Sequence, residues 1–367
     1  METCPNVDIL PSGICNIYDP VNLTHLNIAF GDNTKDIGLT IIILNGTEST
    51  NMYIANRITR WINWNGVRAK FFDTKCLDTL YETIYDWVKK DSGKVAIISV
   101  LTDCHKINEK FGNIKILHIG DFMGQMQRED TDHLSYIKLL KPEIIQVRNI
   151  SNHLQYTISN LLVNINTLRE RPPKIYITRH GQSEGQIKEI IGGNSELTLE
   201  GIKYSDRLKK FMDKVFSDHK QVNVMCSSLK RSIQTASVFI NDSKYHVTQW
   251  KSLDEIYGGM FEDVDYGTIK EKYPEIYEKR MNDKYNMSWP GGESYHNLIQ
   301  RLKSLFLKLE NTTIPVIIVA HQAVCRGLYA YLTNMIPEDC VSVEIPSHAV
   351  FEFNFDTTKY NATLHKI

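Results

Sequence analysis

The chain lacks any apolar run long enough to cross a membrane: stretches such as Ile41–Leu44 and Pro315–Ala320 have strand length. No secretory leader is expected, because Met1-Glu2-Thr3-Cys4-Pro5 is not followed by a basic segment and an apolar core. Paired cysteine motifs are missing. Its seven cysteines (4, 15, 76, 104, 226, 325, 340) are odd in number, far apart and without a CxxC, which argues against a disulfide frame or zinc cluster and for free thiols in a reducing compartment. An excess of charge is missing too: 42 Lys+Arg stand against 43 Asp+Glu, so no global field directs the protein to nucleic acid or to an anionic membrane. There is no internal repeat and no low-complexity tract. These absences leave a soluble, cytoplasmic protein as the expectation, with the sequon Asn45-Gly46-Thr47 incidental.

What is there is an alternation of strands and helices. At 367 residues the chain has room for two domains, each with its own core. Residues 1–37 carry turn pieces and no clear period, and read as an irregular arm. From Leu39 the pattern becomes regular. A strand at Leu39–Leu44 is followed by a loop at Asn45–Thr50, a helix at Asn51–Trp64 and a second strand at Val67–Phe72. A helix with Leu77, Leu80, Tyr81, Ile84, Trp87 and Val88 on one face comes next. Strands are expected at Val95–Val100, Ile114–Ile119 and Glu143–Val147, then a helix through Leu154, Ile158, Leu161, Leu162 and Ile165. Alternation of this kind implies a parallel sheet covered on both faces. Two prolines and three charges in Leu168–Pro173 interrupt it. The expected division is therefore a first α/β domain over 38–168, a linker over 169–173 and a second α/β domain over 174–367.

Two histidines stand out in the second half. His180, in Thr178-Arg179-His180-Gly181, follows the run Lys174–Thr178, and His321, in Val319-Ala320-His321-Gln322, follows Pro315–Ala320. Both runs read as buried parallel strands, and chemistry in an open α/β sheet collects at the carboxyl ends of strands. Neutral imidazole can attack a phosphoryl group, and arginines supply forked donors to its oxygens. Arg179, Arg231 and His321 are the candidate clamp, and Glu255 is the candidate acid for the leaving alcohol. Each residue alone has a structural reading: a lone buried His is usually a core residue, Arg231 a solvated helix residue, Glu255 a surface acid. Their joint placement after strands is far more specific.

Arg179-His180-Gly181-Gln182-Ser183-Glu184 resembles the signature of the histidine phosphatase superfamily. More narrowly, residues 174–355 resemble the fructose-2,6-bisphosphatase domain of the bifunctional 6-phosphofructo-2-kinase/fructose-2,6-bisphosphatase family. The match runs through Ile191-Gly192-Gly193, Lys230–Ala236, Asp283-Lys284-Tyr285, Gly292-Glu293-Ser294-Tyr295 and His321–Arg326. The resemblance implies a three-layer α/β/α phosphoglycerate mutase-like fold, with His180 as nucleophile and Glu255 as acid and base. It implies that Arg179, Arg231 and His321 hold the transferring phosphoryl group. Gln186, Gly193, Tyr266, Arg280, Lys284, Tyr295, Gln322 and Arg326 would bind the sugar and its other phosphate. Departures are Gln186 for the usual asparagine, Ile190 for a basic residue, and Asn286 and Ser288 where arginines are common.

The first half resembles the kinase domain of the same family in Leu39–Gly66 and in His133–Lys138, where it resembles a reduced P-loop-like sheet. The phosphate loop itself is degenerate. A P-loop needs GxxxxGK[ST], and here Gly46 remains while the Gly-Lys-Thr end reads Thr50-Asn51-Met52, with Glu48 inside the loop. Ser99 stands at the family's acidic position, and much of the sugar pocket is missing between Phe72 and Gly93. ATP and Mg binding are expected to be lost, and no metal or cofactor is implied. The expected partner is a small-molecule sugar bisphosphate, with a homodimer left open and neither nucleic acid nor membrane. Two alternatives stand beside a fructose-2,6-bisphosphatase with an inactive kinase-like domain: a histidine phosphatase or mutase for another phosphorylated metabolite, and a weakly catalytic sugar-phosphate sensor.

Overall fold

The computed structural model describes residues 40–45, 48–64, 66–72, 77–91, 95–99, 115–120, 136–141, 144–148, 173–310, 312–356 and 360–367. The arm over 1–37, the linker over 169–172 and the helix expected around Leu154–Ile165 lie outside them. Residues 38–367 form one compact unit built on two six-stranded sheets.

The first sheet holds β1 (Thr40–Asn45), β2 (Ala69–Phe72), β3 (Val95–Ser99), β4 (Lys115–Gly120), β5 (Tyr136–Lys141) and β6 (Ile144–Arg148), in the order β2-β3-β1-β4-β5-β6. The expectation of an all-parallel sheet is corrected at one edge: β6 runs antiparallel to β5. Only two residues separate these strands, too few for a crossover, so a hairpin is the only connection available. The strand β5 was not expected at all. Helices α1 (Glu48–Trp64) and α2 (Leu77–Asp91) accompany this sheet. In α2, Leu80, Ile84 and Trp87 are buried, as their spacing requires. Helix α1 begins three residues before the expected Asn51, at Glu48.

The second sheet holds β7 (Ile175–Arg179), β8 (Val222–Cys226), β9 (Tyr245–Gln249), β10 (Val316–Ala320), β11 (Ala349–Phe355) and β12 (Tyr360–Lys366), in the order β12-β11-β7-β10-β8-β9. The four strands β7, β10, β8 and β9 are parallel, while β11 and β12 form an antiparallel edge, with β11 against β7. Its helices are α3 (Glu184–Ile187), α4 (Leu199–Val215), α5 (Lys230–Ala236), α6 (Tyr266–Lys272), α7 (Pro274–Asn282), α8 (Tyr295–Glu310) and α9 (Gln322–Leu332). β10, Val-Ile-Ile-Val-Ala, is buried along its whole length, as a central strand covered on both faces must be. Thr198 caps α4 by accepting the Gly201 N–H at 3.1 Å.

One core cluster runs through both sheets' helices. It joins Ile58, Trp61 and Trp64 of α1 to Leu302, Phe306 and Leu309 of α8 and Leu328 and Tyr331 of α9. Among the described residues no helix is long and apolar enough to cross a membrane.

Candidate active site

Register brings the two histidines together. β7 and β10 pair in parallel with Arg179 opposite Ala320, so His180 and His321 are the next residues on neighbouring strands. The His180 N–H donates to the Ala320 carbonyl at 2.9 Å. Adjacent strands lie about 4.8 Å apart, and the imidazole centroids are 5.0 Å apart. β8 and β9 end at the same edge and deliver Ser227 and the segment leading to Glu255. Because β11 is antiparallel to β7, its entry, Ile345–His348, arrives at this edge as well.

Hydrogen bonding fixes the state of His180. Its Nδ1 lies 2.7 Å from the Gly181 carbonyl, which can only accept, so the proton sits on Nδ1. Nε2 is left with a lone pair, which accepts from Arg231 Nε at 3.1 Å. Burial first, and the Arg231 charge second, pull the pKa of His180 down to about 3, so the ring is neutral at neutral pH. The loop around it is tight. The Gly181 N–H donates to Thr235 Oγ1 at 2.9 Å, and a Cβ on Gly181 would collide with the Gly201 carbonyl. Glycine is required there by close approach to α4, which explains the third letter of Arg-His-Gly.

His321 is fully buried. Ser227 Oγ donates to Asp254 Oδ1 at 2.9 Å and accepts the Leu229 N–H at 3.0 Å. Its third contact, at 2.7 Å, is therefore a donation from His321 Nε2. Nδ1 of His321 is left bare, buried and without a partner. Burial, then His180 and Arg231, hold its pKa well below the usual histidine value.

Arg179 Nε and Arg280 Nε and Nη1 are likewise buried without partners. Arg231 donates a further bond to the Gly193 carbonyl at 2.7 Å, and Arg179 Nη1 reaches the Ile345 carbonyl at 3.3 Å and Ser347 Oγ at 3.4 Å. Glu255 accepts the Ile256 N–H at 2.9 Å and, at 3.4 Å, that of Ala323 in the first turn of α9. Its loop is braced by Arg301, which grips Glu293 with two bonds of 2.9 Å and donates to the Ser252 and Asp254 carbonyls at 2.7 and 2.9 Å.

These groups open on a cavity of about 470 Å³. Of the residues singled out from sequence, Arg179, His180, Gln186, Arg231, Glu255, Tyr266, Arg280, Lys284, Tyr295, Gln322 and Arg326 line it. His321 stands behind His180, and Gly193 lies outside the lining, with its N–H donated to Glu262 at 2.7 Å. Five cations (Arg179, Arg231, Arg280, Lys284, Arg326) face two acids (Glu189, Glu255), so the cavity suits a multiply charged anion. The Arg280 guanidinium lies 5.9 Å from the Trp289 ring and 6.0 Å from that of Tyr295. Tyr295 Oη accepts from Arg326 at 2.9 Å. Burial, then Arg326 and Arg280, lower the pKa of Lys284. Ile190 lines the wall where a basic residue is usual, and the Asn286 amide is turned to Asp283 at 3.0 Å. Gln186 donates to Ser347 Oγ at 3.1 Å. Sequence reasoning missed Ser227, Thr235, Asp254, Ser347 and His348. Only Ser227 carried a signal, being the first residue past β8.

The chain is 33% identical over 305 residues to a 6-phosphofructo-2-kinase/fructose-2,6-bisphosphatase of Arabidopsis thaliana, covering 76% of this chain and 40% of that protein. It is 27% identical to isoform 3 of Rattus norvegicus, covering 85% and 69%. A fructose-2,6-bisphosphatase of Saccharomyces cerevisiae is 34% identical over 225 residues, covering 61% and 48%. The chain thus spans only part of the length of these relatives. Residues 175–367, more than half of the chain, match the histidine phosphatase superfamily (branch 1), and the chain belongs to that superfamily.

Proposed function

We propose that the protein hydrolyses fructose 2,6-bisphosphate to fructose 6-phosphate and phosphate through a phosphohistidine at His180, and that its N-terminal half has no kinase activity. One observation carries the phosphoryl reading: His180, whose Nε2 is unprotonated, lines one cavity with Arg179, Arg231 and Arg280, and nitrogens of Arg179 and Arg280 are buried without partners. Buried donors without partners are costly, and an anion with several oxygens satisfies them together. On arrival of the phosphoryl group, Arg231 exchanges its bond to Nε2 for one to a phosphate oxygen, which frees the lone pair for in-line attack. Glu255 gives its proton to the leaving sugar oxygen and then takes one from the attacking water. Positive charge on the equatorial oxygens comes from the arginines. The finer assignment to a sugar bisphosphate is supported by three further cations on the same lining, Arg280, Lys284 and Arg326, beside Arg179 and Arg231, and by the names of the relatives. A monophosphate would leave those cations unused.

The test is phosphate release in EDTA from fructose 2,6-bisphosphate, beside fructose 1,6-bisphosphate, fructose 6-phosphate and phosphoglycerates. The expected result is a kcat/KM at least about tenfold higher for the 2,6-bisphosphate, since one charged contact contributes a kcal/mol or more. Preference for another ester moves the protein to a different substrate within the phosphatases, and phosphate transfer between metabolites makes it a mutase. No turnover on any of them leaves the sensor reading.

A further inference from the structure

The segment Ile345–His348 meets the catalytic loop from the antiparallel side of the strand edge and holds it at three points. The Ile345 carbonyl and Ser347 Oγ take Arg179, Ser347 Oγ also takes the Gln186 amide, and His348 takes the backbone of Gln182. The third contact differs from the others because it titrates. His348 has φ of 53°, a left-handed backbone for a residue with a β-carbon. Its ring lies flat on Tyr204, with centroids 4.6 Å apart and planes at 15°. Unfavourable backbone of this kind persists where the surroundings over-determine it, and it gathers at functional sites. Nε2 of His348 accepts the Gln182 N–H at 3.2 Å. An amide N–H can only donate, so this bond exists only while Nε2 is unprotonated.

We propose that His348 is a positioning residue for the nucleophile: its neutral ring pins Gln182, two residues from His180, and its protonation releases the loop and slows phosphoryl transfer. The proposal rests on the phosphohistidine reading above. The charged and titratable groups facing the ring are Glu200 and Arg207 on α4, Arg179 at the end of β7, and His180 across the loop. Burial and Arg207 lower the pKa of His348 while Glu200 raises it, which keeps the pinning form in place at neutral pH. The other end of Gln182 is fixed regardless of pH, since its carbonyl accepts the Thr198 N–H at 2.9 Å and its side chain the Thr198 hydroxyl at 3.0 Å.

Two variants separate the roles. His348→Gln keeps an acceptor within reach and the same backbone demand but cannot titrate, and His348→Leu removes the acceptor. Each is compared with wild type in the full chain by kcat and KM for fructose 2,6-bisphosphate from about pH 5 to 8, and by amide exchange of the peptide containing Gln182. His348→Leu should lose about tenfold in kcat at neutral pH, a deficit that closes in acid as wild type releases its own pin, with KM changed less than about threefold because no cation of the cavity is altered. His348→Gln should recover kcat to within about threefold at neutral pH and hold it about one pH unit further into acid. Protection of the Gln182 amide, taken relative to its intrinsic exchange rate at each pH, should fall in acid for wild type, be low at every pH for His348→Leu, and stay high throughout for His348→Gln. An unchanged acid limb in His348→Gln, or unchanged kcat and exchange in His348→Leu, overturns the proposal. If no substrate turns over, the phosphatase reading fails and the exchange measurement alone decides the positioning.

Discussion

At the scale of single residues, the site is governed by where protons sit. His180 keeps its proton on Nδ1 because the Gly181 carbonyl accepts it, and His321 keeps its own on Nε2 because Ser227 is already committed to Asp254. In the proposed mechanism the attacking atom is Nε2 of His180, and the covalent intermediate should carry phosphorus on that nitrogen. Substrate labelled at the 2-phosphate, quenched rapidly without acid, should leave label on the peptide containing Arg179-His180-Gly181. Phosphorus NMR of the trapped species should assign the Nε2 isomer, and His180→Ala should abolish the label. Label on His321, or on Nδ1 of His180, would sink the assignment. The adjacency of the two histidines was legible in the sequence because each directly follows a β-branched strand. Their orienting partners were not: Asp254 is 67 residues from His321 in the chain, and His348 is 166 from Gln182. A hydroxyl, a carboxylate and a second imidazole at such separations have no local period to betray them, and only strand order brings them to one edge.

At the scale of elements, α1 is fastened to the phosphatase helices by a buried charge cluster as well as by apolar packing. Arg57 and Arg60, one turn apart on α1, both pair with Glu310 at the end of α8. Arg57 also donates to the Glu310 carbonyl at 2.6 Å, which caps a helix end whose carbonyls lack intrahelical partners. Tyr331 of α9 donates to the same carboxylate at 2.8 Å. Two turns along α1 from Arg57, Trp64 meets Phe306 and Tyr331 edge-on at 5.2 and 5.4 Å. Burial alone would raise the pKa of Glu310, but Arg57 and Arg60 outweigh it and hold the carboxyl down to about 2, against 4.5 for a free glutamate. The folded pKa is depressed, so the contribution is complete above about pH 4.5 and is lost as pH falls toward 2. Glu310→Gln should cost about 3–5 kcal/mol at neutral pH, since it leaves two buried guanidiniums without a counter-charge. It should also flatten the acid limb of stability, both read by denaturant unfolding at stepped pH. A cost under about 1 kcal/mol would show that the cluster is replaceable by packing alone. The amphipathic faces of α1 and α2 were readable from spacing, whereas the hairpins β5–β6 and β11–β12 were not, because alternation of elements says nothing about strand direction. The early start of α1 was missed for a related reason: reading 46–52 as a phosphate loop favoured coil where a helix forms from Glu48.

For the whole molecule, that helix start bears on what the N-terminal half can do. A phosphate loop needs about eight residues between strand and helix whose amides wrap the phosphates, with lysine and a hydroxyl for the terminal phosphate and its metal. Here β1 ends at Asn45 and α1 begins at Glu48, so Thr50, Asn51 and Met52 already lie in the helix. By the resemblance to the family's kinase domain, the lysine position is Asn51 and the hydroxyl position is Met52, and both lie in α1. Removing even one donor from a charge-stabilising site costs about 10²–10³ in rate, and here the cation, the metal hydroxyl and the loop are changed together. The face of α1 that carries Arg57, Arg60 and Trp64 is packed on α8, through Glu310 and Phe306. A helix held in place by that face can lose its loop without losing its fold. We therefore expect no synthesis of fructose 2,6-bisphosphate from ATP and fructose 6-phosphate, and no saturable heat on titration with Mg-ATP. His180→Ala is the material for the synthesis assay, because wild type would destroy any product it made. Accumulation of the bisphosphate by that variant would restore a working kinase and show that α1 can unwind at Glu48 to admit a nucleotide.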